Sequence, residues 1–248
     1  MTKSASFDVI GTCFAFDVPI STIHSRLGPK LVTAAVDPKT LFFSWFYAAQ
    51  RDFTYVSMTG AYVPIAQVLK STFRRACAVV DLPVDAVTDE DLEEIMKAFK
   101  AMKPREGLKK CYDGLREAGW DVYGVTNGGS ETSLNYYRNA GIELDEQHLL
   151  SCDAIQVAKP DVRVYENAQR HLDEKVKHTG SLGKGEGARW FIAAHAWDLI
   201  AARKAGFHTA YLDFEEHDPC TDVFGEFDLY ASSMEELLVK LKDWKAGS

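Results

Sequence analysis

From Pro104 onward the chain alternates short apolar, β-branched runs with amphipathic helical stretches, and this alternation constrains the fold more than any other feature. Leu108, Cys111, Leu115 and Ala118 form one helix face, closed by Gly119. A strand at 121–126 (DVYGVT), an Asn-Gly-Gly turn and a helix over 130–140 follow. Pro160 to His171 reads as a helix with its proline near the start. A strand at 190–194, a helix at 197–205 and a strand at 207–212 come next. The last helix opens on a capping box, Ser233 to Glu236, and is expected to bury Leu237, Leu238, Leu241 and Trp244. Strands separated by helices cannot pair as hairpins. They pair in parallel, with the helices covering both faces of the sheet. The expected class is α/β with a Rossmann-like parallel sheet.

One block breaks the alternation. Ser6 to Gly11 reads as a buried strand ending at a Gly-Thr pair, but residues 17–100 are helical in pattern and rich in aromatics. Leu41, Phe42, Trp45, Phe46, Ala49 and Phe53 recur at helical spacing, as do Ile65, Val68, Leu69, Phe73 and Ala76. Asp89 to Lys100 carries acids at its start and lysines at its end, matching a helix dipole. The expected division is residues 1–16 with 101–248 as the sheet domain, and 17–100 as an inserted helical cap. Its aromatic stretch, Phe42 to Tyr55, reads first as core.

Composition excludes several classes. A formal charge of −8 leaves no basic footprint for duplex DNA or an anionic membrane. No apolar run approaches the length of a membrane span, and no signal-peptide h-region precedes the first strand. Five scattered cysteines without a CxxC pair read as buried free thiols in a reducing compartment, so a cytoplasmic location is expected. The Gly-rich stretch 178–187 lacks P-loop spacing and reads as a surface connection. The acidic run DFEEHD (213–218) reads as a solvated loop.

Ligands of an open parallel sheet sit at the carboxyl ends of its strands. The polar residues falling there are Asp8, Thr126, Asn127, Lys159 and Asp198. A carboxylate in the apolar run FDVIG is costly to bury unless paired, and a nearby lysine would both pair it and keep it ionised. An ionised, desolvated carboxylate is what a carboxylate nucleophile requires.

The ordered set FDVIGT, VTNGG, KPDVRVY and AHAWD resembles the haloacid dehalogenase superfamily, most of all its type II 2-haloacid dehalogenase branch. The resemblance implies Asp8 as nucleophile, with Thr12 ordering it. It implies that Thr126 and Asn127 hold the substrate carboxylate or the nucleophile. Lys159 would pair with Asp8, Tyr165 would stand near Lys159, and Asp198 would place the hydrolytic water. It further implies a small-molecule substrate and no cofactor. Members of the family are often dimers, so a homodimer is an expectation too.

Departures from the family pattern refine this. Phosphatases of the superfamily place a proton-donating Asp where this chain has Ile10, and a magnesium-binding Asp where it has Ala194. Halide leaves without a proton, so Ile10 favours carbon–halogen over phosphate-ester chemistry, and no metal is expected. The family's cap Arg aligns with Phe46 or Tyr47, and Arg51 lies one turn further on. Ala193 and His195 stand where the family usually has Ser and Asn, which puts His195 and its neighbour Trp197 among the expected substrate contacts. The competing readings are a phosphohydrolase with a degenerate first motif and a non-enzymatic binding protein of the same fold.

Overall fold

The computed structural model describes residues 3–178 and 188–245. Most of the Gly-rich stretch, residues 179–187, lies outside the described residues. The chain divides into two compact units, Met1–Phe14 with Pro104–Ser248, and Ala15–Lys103. Two-residue strands, β2 (Phe14–Ala15) and β3 (Lys103–Pro104), mark where the chain leaves and re-enters the first unit.

The first unit is built on a six-stranded sheet: β1 (Lys3–Asp8), β4 (Trp120–Thr126), β5 (Leu149–Ser151), β6 (Arg189–Ala193), β7 (His208–Leu212) and β8 (Leu229–Ala231). The order is β5-β4-β1-β6-β7-β8, and every pairing is parallel. Helices α5 (Leu108–Glu117), α6 (Ser130–Asn139), α7 (Cys152–Ile155), α8 (Val162–His178), α9 (Ala196–Lys204), α10 (Thr221–Phe224) and α11 (Met234–Asp243) link or follow the strands. The central strands are buried on both faces, as a sheet covered on both sides requires. On one face Tyr123, Tyr165, Phe191, Leu199 and Phe207 share a core cluster.

The topology locates a crevice before any side chain is considered. From β1 the sheet grows through β4 to β5 on one side, and from β6 through β7 to β8 on the other. The adjacent strands β1 and β6 therefore lead away in opposite directions. The carboxyl ends of two such strands frame the ligand crevice of an open α/β sheet.

The second unit is helical: α1 (Asp17–Thr33), α2 (Pro38–Met58), α3 (Ile65–Val79) and α4 (Asp89–Ala98). Asp37 caps α2 by accepting from Thr40 N at 2.9 Å, and Thr88 with Asp91 forms a capping box on α4. Phe42, Trp45, Phe46 and Phe53 of the aromatic stretch are core, as expected, whereas Tyr47 and Tyr55 are exposed. Trp45 is fully buried and donates its indole N–H to Leu69 O at 3.1 Å, and Phe73 meets it edge-on at 4.6 Å.

Several expectations need correction. The first strand runs Lys3–Asp8 rather than 6–11, so Asp8 is its last residue. The buried serines Ser4 and Ser6 had masked its start. Helix α8 begins at Val162, not Pro160, because Asp161 accepts from Arg163 N and sets the first turn. The three-residue strands β5 and β8 are too short to show an alternation. Cys220 is exposed, unlike the other four thiols. Trp244 lies beyond α11, half-buried, edge-on to Trp190 at 5.4 Å, and Leu238 is only half-buried. Nor is the acidic run simply a solvated loop. Glu215 is ion-paired with Arg105, and Glu216 Oε2 accepts from Ala196 N at 2.9 Å.

Candidate active site

Asp8 ends β1 and the chain turns at once. Gly11 has φ +88°, a conformation costly for any residue with a Cβ, and its N–H donates to Phe14 O at 2.9 Å. The turn brings Thr12 back over the strand end. Thr12 Oγ1 donates to Asp8 Oδ2 at 2.6 Å and accepts from Ala194 N, just past β6, at 2.9 Å. One hydroxyl thus ties the ends of the two crevice strands together. Behind them Cys13 Sγ donates to the Asp8 carbonyl at 3.2 Å and meets Tyr112 Oη at 3.5 Å, and Tyr112 and Tyr137 share a hydroxyl hydrogen bond of 2.9 Å.

Lys159 comes from the loop before α8. Asn127 Oδ1 accepts from Lys159 N at 3.0 Å, which fixes that loop against the end of β4. The ammonium donates to Asp8 Oδ1 at 2.8 Å and to Asp198 Oδ2 at 2.9 Å. Asp198, in the first turn of α9, accepts from the Tyr165 hydroxyl on its other oxygen. Lys159, Tyr165 and Asp198 are all at or below 1% exposure, so these charges sit in a dry, low-dielectric site where each needs its partner.

The electrostatics follow from one ammonium shared by two carboxylates. Burial alone would push Asp8 up, but the Lys159 charge and hydrogen bond, with His195 beside it, hold Asp8 well below the ordinary carboxylate range. Burial also pushes Asp198 up, and the neighbouring Asp8 charge adds to this while Lys159 opposes it; the net direction is upward. Burial opposes the Lys159 charge, yet the two carboxylates raise its affinity for the proton above the usual lysine value. Burial and the Asp198 charge keep Tyr165 protonated, as a donor must be.

The remaining expected residues fall as follows. Thr126 is fully buried, and its Oγ1 accepts from Gly128 N at 2.9 Å, shaping the turn after β4. His195 caps the space between β6 and α9, 1% exposed, with Nδ1 3.8 Å from Asp8 Oδ2 and its ring 5.4 Å from that of Trp197. Ile10 is half-buried in the turn and bridges Phe14. Asp8, Thr12, Lys159, Tyr165, Asp198 and His195 therefore converge. Phe46 and Tyr47 belong to the helical unit: Phe46 is buried between Phe16 and Phe42, and Tyr47 is 39% exposed beside Phe43. Arg51 is engaged with Asp52.

Sequence reasoning missed the buttress of the turn. Arg105 donates to Gly11 O at 2.9 Å, pairs with Glu215 and lies 5.0 Å over the Phe214 ring. The only signal was an acidic run following a strand, which resembles any surface loop. Among the described residues no group of three or more His, Cys, Asp or Glu is arranged to hold a metal ion, and no helix is long and apolar enough to cross a membrane.

No protein-family model matches the chain. It is 27% identical over 220 residues to an (S)-2-haloacid dehalogenase of Pseudomonas sp. (strain YL), covering 85% of this chain and 82% of the relative. It is 21% identical over 213 residues to haloacetate dehalogenase H-2 of Moraxella sp. (strain B), covering 85% of each. Among solved structures, an L-2-haloacid dehalogenase superposes with a TM-score of 0.80 at 22% identity, over 97% of this chain and 99% of that one. The L-2-haloacid dehalogenase of Xanthobacter autotrophicus, solved with chloropropionic acid covalently bound, gives 0.73 at 16% identity over 99% of this chain and 100% of that one. In fold, segment order and sequence the chain is similar to haloacid dehalogenases. The similarity is to (S)-2-haloacid dehalogenases in sequence and to L-2-haloacid dehalogenases in fold.

Proposed function

We propose that the chain hydrolyses the carbon–halogen bond of a small 2-halogenated acid, with Asp8 as covalent nucleophile and no metal ion. An Asp8 oxygen attacks the carbon bearing the halogen. The carbon–oxygen bond forms as the carbon–halogen bond breaks, and halide leaves with the bonding pair. Water then attacks Cγ of the Asp8 ester, releasing a 2-hydroxy acid and restoring the carboxylate.

The observation that carries this reading is Lys159 standing between Asp8 and Asp198 at the switch point of the sheet. It keeps Asp8 ionised in a dry site, as a nucleophile must be. It also places a cation against the Asp8 carboxyl where negative charge builds during ester hydrolysis. Thr12 holds the second oxygen and Asn127 holds the Lys159 loop. Asp198, steadied by Tyr165, orients Lys159 and helps place the water. Ile10 offers no proton to a leaving alkoxide, and Ala194 offers no oxygen to a cation, which favours halide over phosphate esters. The chloropropionic acid bound covalently in the Xanthobacter relative fits an ester step in this fold.

The test is halide and phosphate release from panels of 2-haloacids and phosphate esters, with EDTA present and with Asp8→Asn as control. Halide release that survives EDTA and disappears in Asp8→Asn is the expected result. Phosphate release dependent on Mg²⁺ would overturn it.

A further inference from the structure

His195 is a buried titratable group at the crevice that the chemistry above leaves without a task. Its ring is 1% exposed, and neither Nδ1 nor Nε2 has a hydrogen-bond partner among the described residues. A buried imidazole with two unsatisfied nitrogens is costly to keep, so the site needs a polar visitor to complete it. The visitor's position is set by the neighbour. Nδ1 lies 3.8 Å from Asp8 Oδ2, too far for a direct bond and close enough that a water bonded to this edge reaches the Asp8 carboxyl carbon.

The other candidate for a base, Asp198, is poorly placed to take a proton. One oxygen accepts from Lys159 at 2.9 Å and the other from Tyr165, and the residue is fully buried among these partners. Protonating it would weaken two bonds that hold the site together. A neutral imidazole always exposes one nitrogen lone pair, whichever tautomer is present. His195 is also anchored: Ala196 N, next in the chain, donates to Glu216, and the ring lies against Trp197.

We propose, building on the reading above, that His195 is the general base for the second half-reaction. It accepts a proton from the water as that water's oxygen bonds to Cγ of the Asp8 ester. When the tetrahedral adduct collapses, the bond from Cγ to the substrate oxygen breaks. The departing alkoxide takes the proton from the imidazolium and leaves as the 2-hydroxy acid. The Asp8 carboxyl releases its proton to solvent, so each turnover yields one halide and one H⁺ in all.

The experiment separates the two half-reactions, using 2-chloropropionate, rapid quench and intact-protein mass spectrometry. In His195→Gln the halide burst is expected near one equivalent at close to the wild-type rate. Steady-state turnover should fall by about 100-fold or more, with the Asp8 ester accumulating. His195→Asn should behave alike, which guards against a folding defect peculiar to one variant. A measurement on the unaltered chain needs no variant: ester breakdown should slow about twofold or more in D₂O while the burst does not. A burst lost in proportion to turnover, unchanged turnover in both variants, or ester breakdown indifferent to D₂O would each overturn the role of His195. Absence of halide release from the unaltered chain would instead overturn the parent reading, and this one with it.

Discussion

Asp8 and Lys159 are joined by a 2.8 Å hydrogen bond across 151 positions of sequence, and almost none of the lysine side chain reaches solvent. Burial works against the carboxylate, but the ammonium more than offsets it, so Asp8 titrates well below its ordinary range. A depressed folded-state pKa contributes stability that is present above the unfolded value, about 3.9, and is lost as pH falls through the folded value. The same depression keeps Asp8, the proposed nucleophile, charged in mild acid. The amplitude of the halide burst should stay level from about pH 8 down to about pH 5. Quenched-flow measurements across that range check it; a fall in burst amplitude centred near pH 6 would contradict it.

Lys159→Met removes the ammonium shared by Asp8 and Asp198. Two buried carboxylates then face each other without a cation, and the expected loss is about 3–5 kcal/mol at neutral pH. The sign of the pH dependence should change as well. Without the ammonium, burial raises both carboxylates, and a raised folded pKa gives stability that is complete below the unfolded value and lost as pH rises. Urea unfolding at pH 5 and pH 7.5 checks this: the variant should gain on the unaltered chain as the solution is made more acidic.

Tyr165→Phe leaves Asp198 with Lys159 as its hydrogen-bond partner and removes the hydroxyl donor. The ring still packs edge-on against Phe191 at 5.1 Å, so shape is kept. A buried acceptor stripped of one donor should cost about 1–3 kcal/mol in unfolding free energy. Turnover should fall more than the burst, since Asp198 would hold Lys159 less firmly during ester breakdown. Chemical denaturation and burst kinetics on the same preparation separate the two effects.

Glu216→Ala removes the side chain that accepts from Ala196 N at the first turn of α9. Loss of such a cap should destabilise by about 0.5–2 kcal/mol. Because His195 is the neighbouring residue, Glu216→Ala should also slow ester breakdown, while Glu216→Gln, which keeps an acceptor, should recover most of both losses. Thermal melts and single-turnover decay of the ester measure the pair.

The sheet and most of the site were legible because both are written in local pattern. The run DVYGVT is buried along nearly all its length, and Asp8 ends β1 while Lys159 and Asp198 follow in the loop before α8 and the first turn of α9, where topology gathers polar groups. The aromatic spacing of α2 likewise marked a helical core around Trp45. What escaped reading depends on pairings across long stretches of chain. Arg105 with Glu215 is a contact between a loop and an acidic run with no periodicity to betray it. Asn127 was expected to hold the substrate carboxylate or the nucleophile, and the contact that its side-chain oxygen also makes with Lys159 N was not foreseen. Nothing in the motif distinguishes an amide that binds a ligand from one that holds a backbone. The start of α8 was misplaced because Pro160 fits a helix's first turn as well as the loop before it, and only the Asp161 bond to Arg163 N decides.

The strand that carries Asp8 is the first of the sheet to be synthesised, yet it lies at the sheet's centre. Its partners, Trp120–Thr126 and Arg189–Ala193, emerge from the ribosome only after more than a hundred further residues. Until then Phe7 and Val9 have no strand to shelter them, and Asp8 has no lysine. The helical unit in between makes its contacts over short sequence distances and can be complete while β1 waits. The pairing of Asp8 with Lys159 therefore waits on the synthesis of residues far down the chain, and a nascent chain stopped short of β6 would carry Asp8 and Lys159 without Asp198.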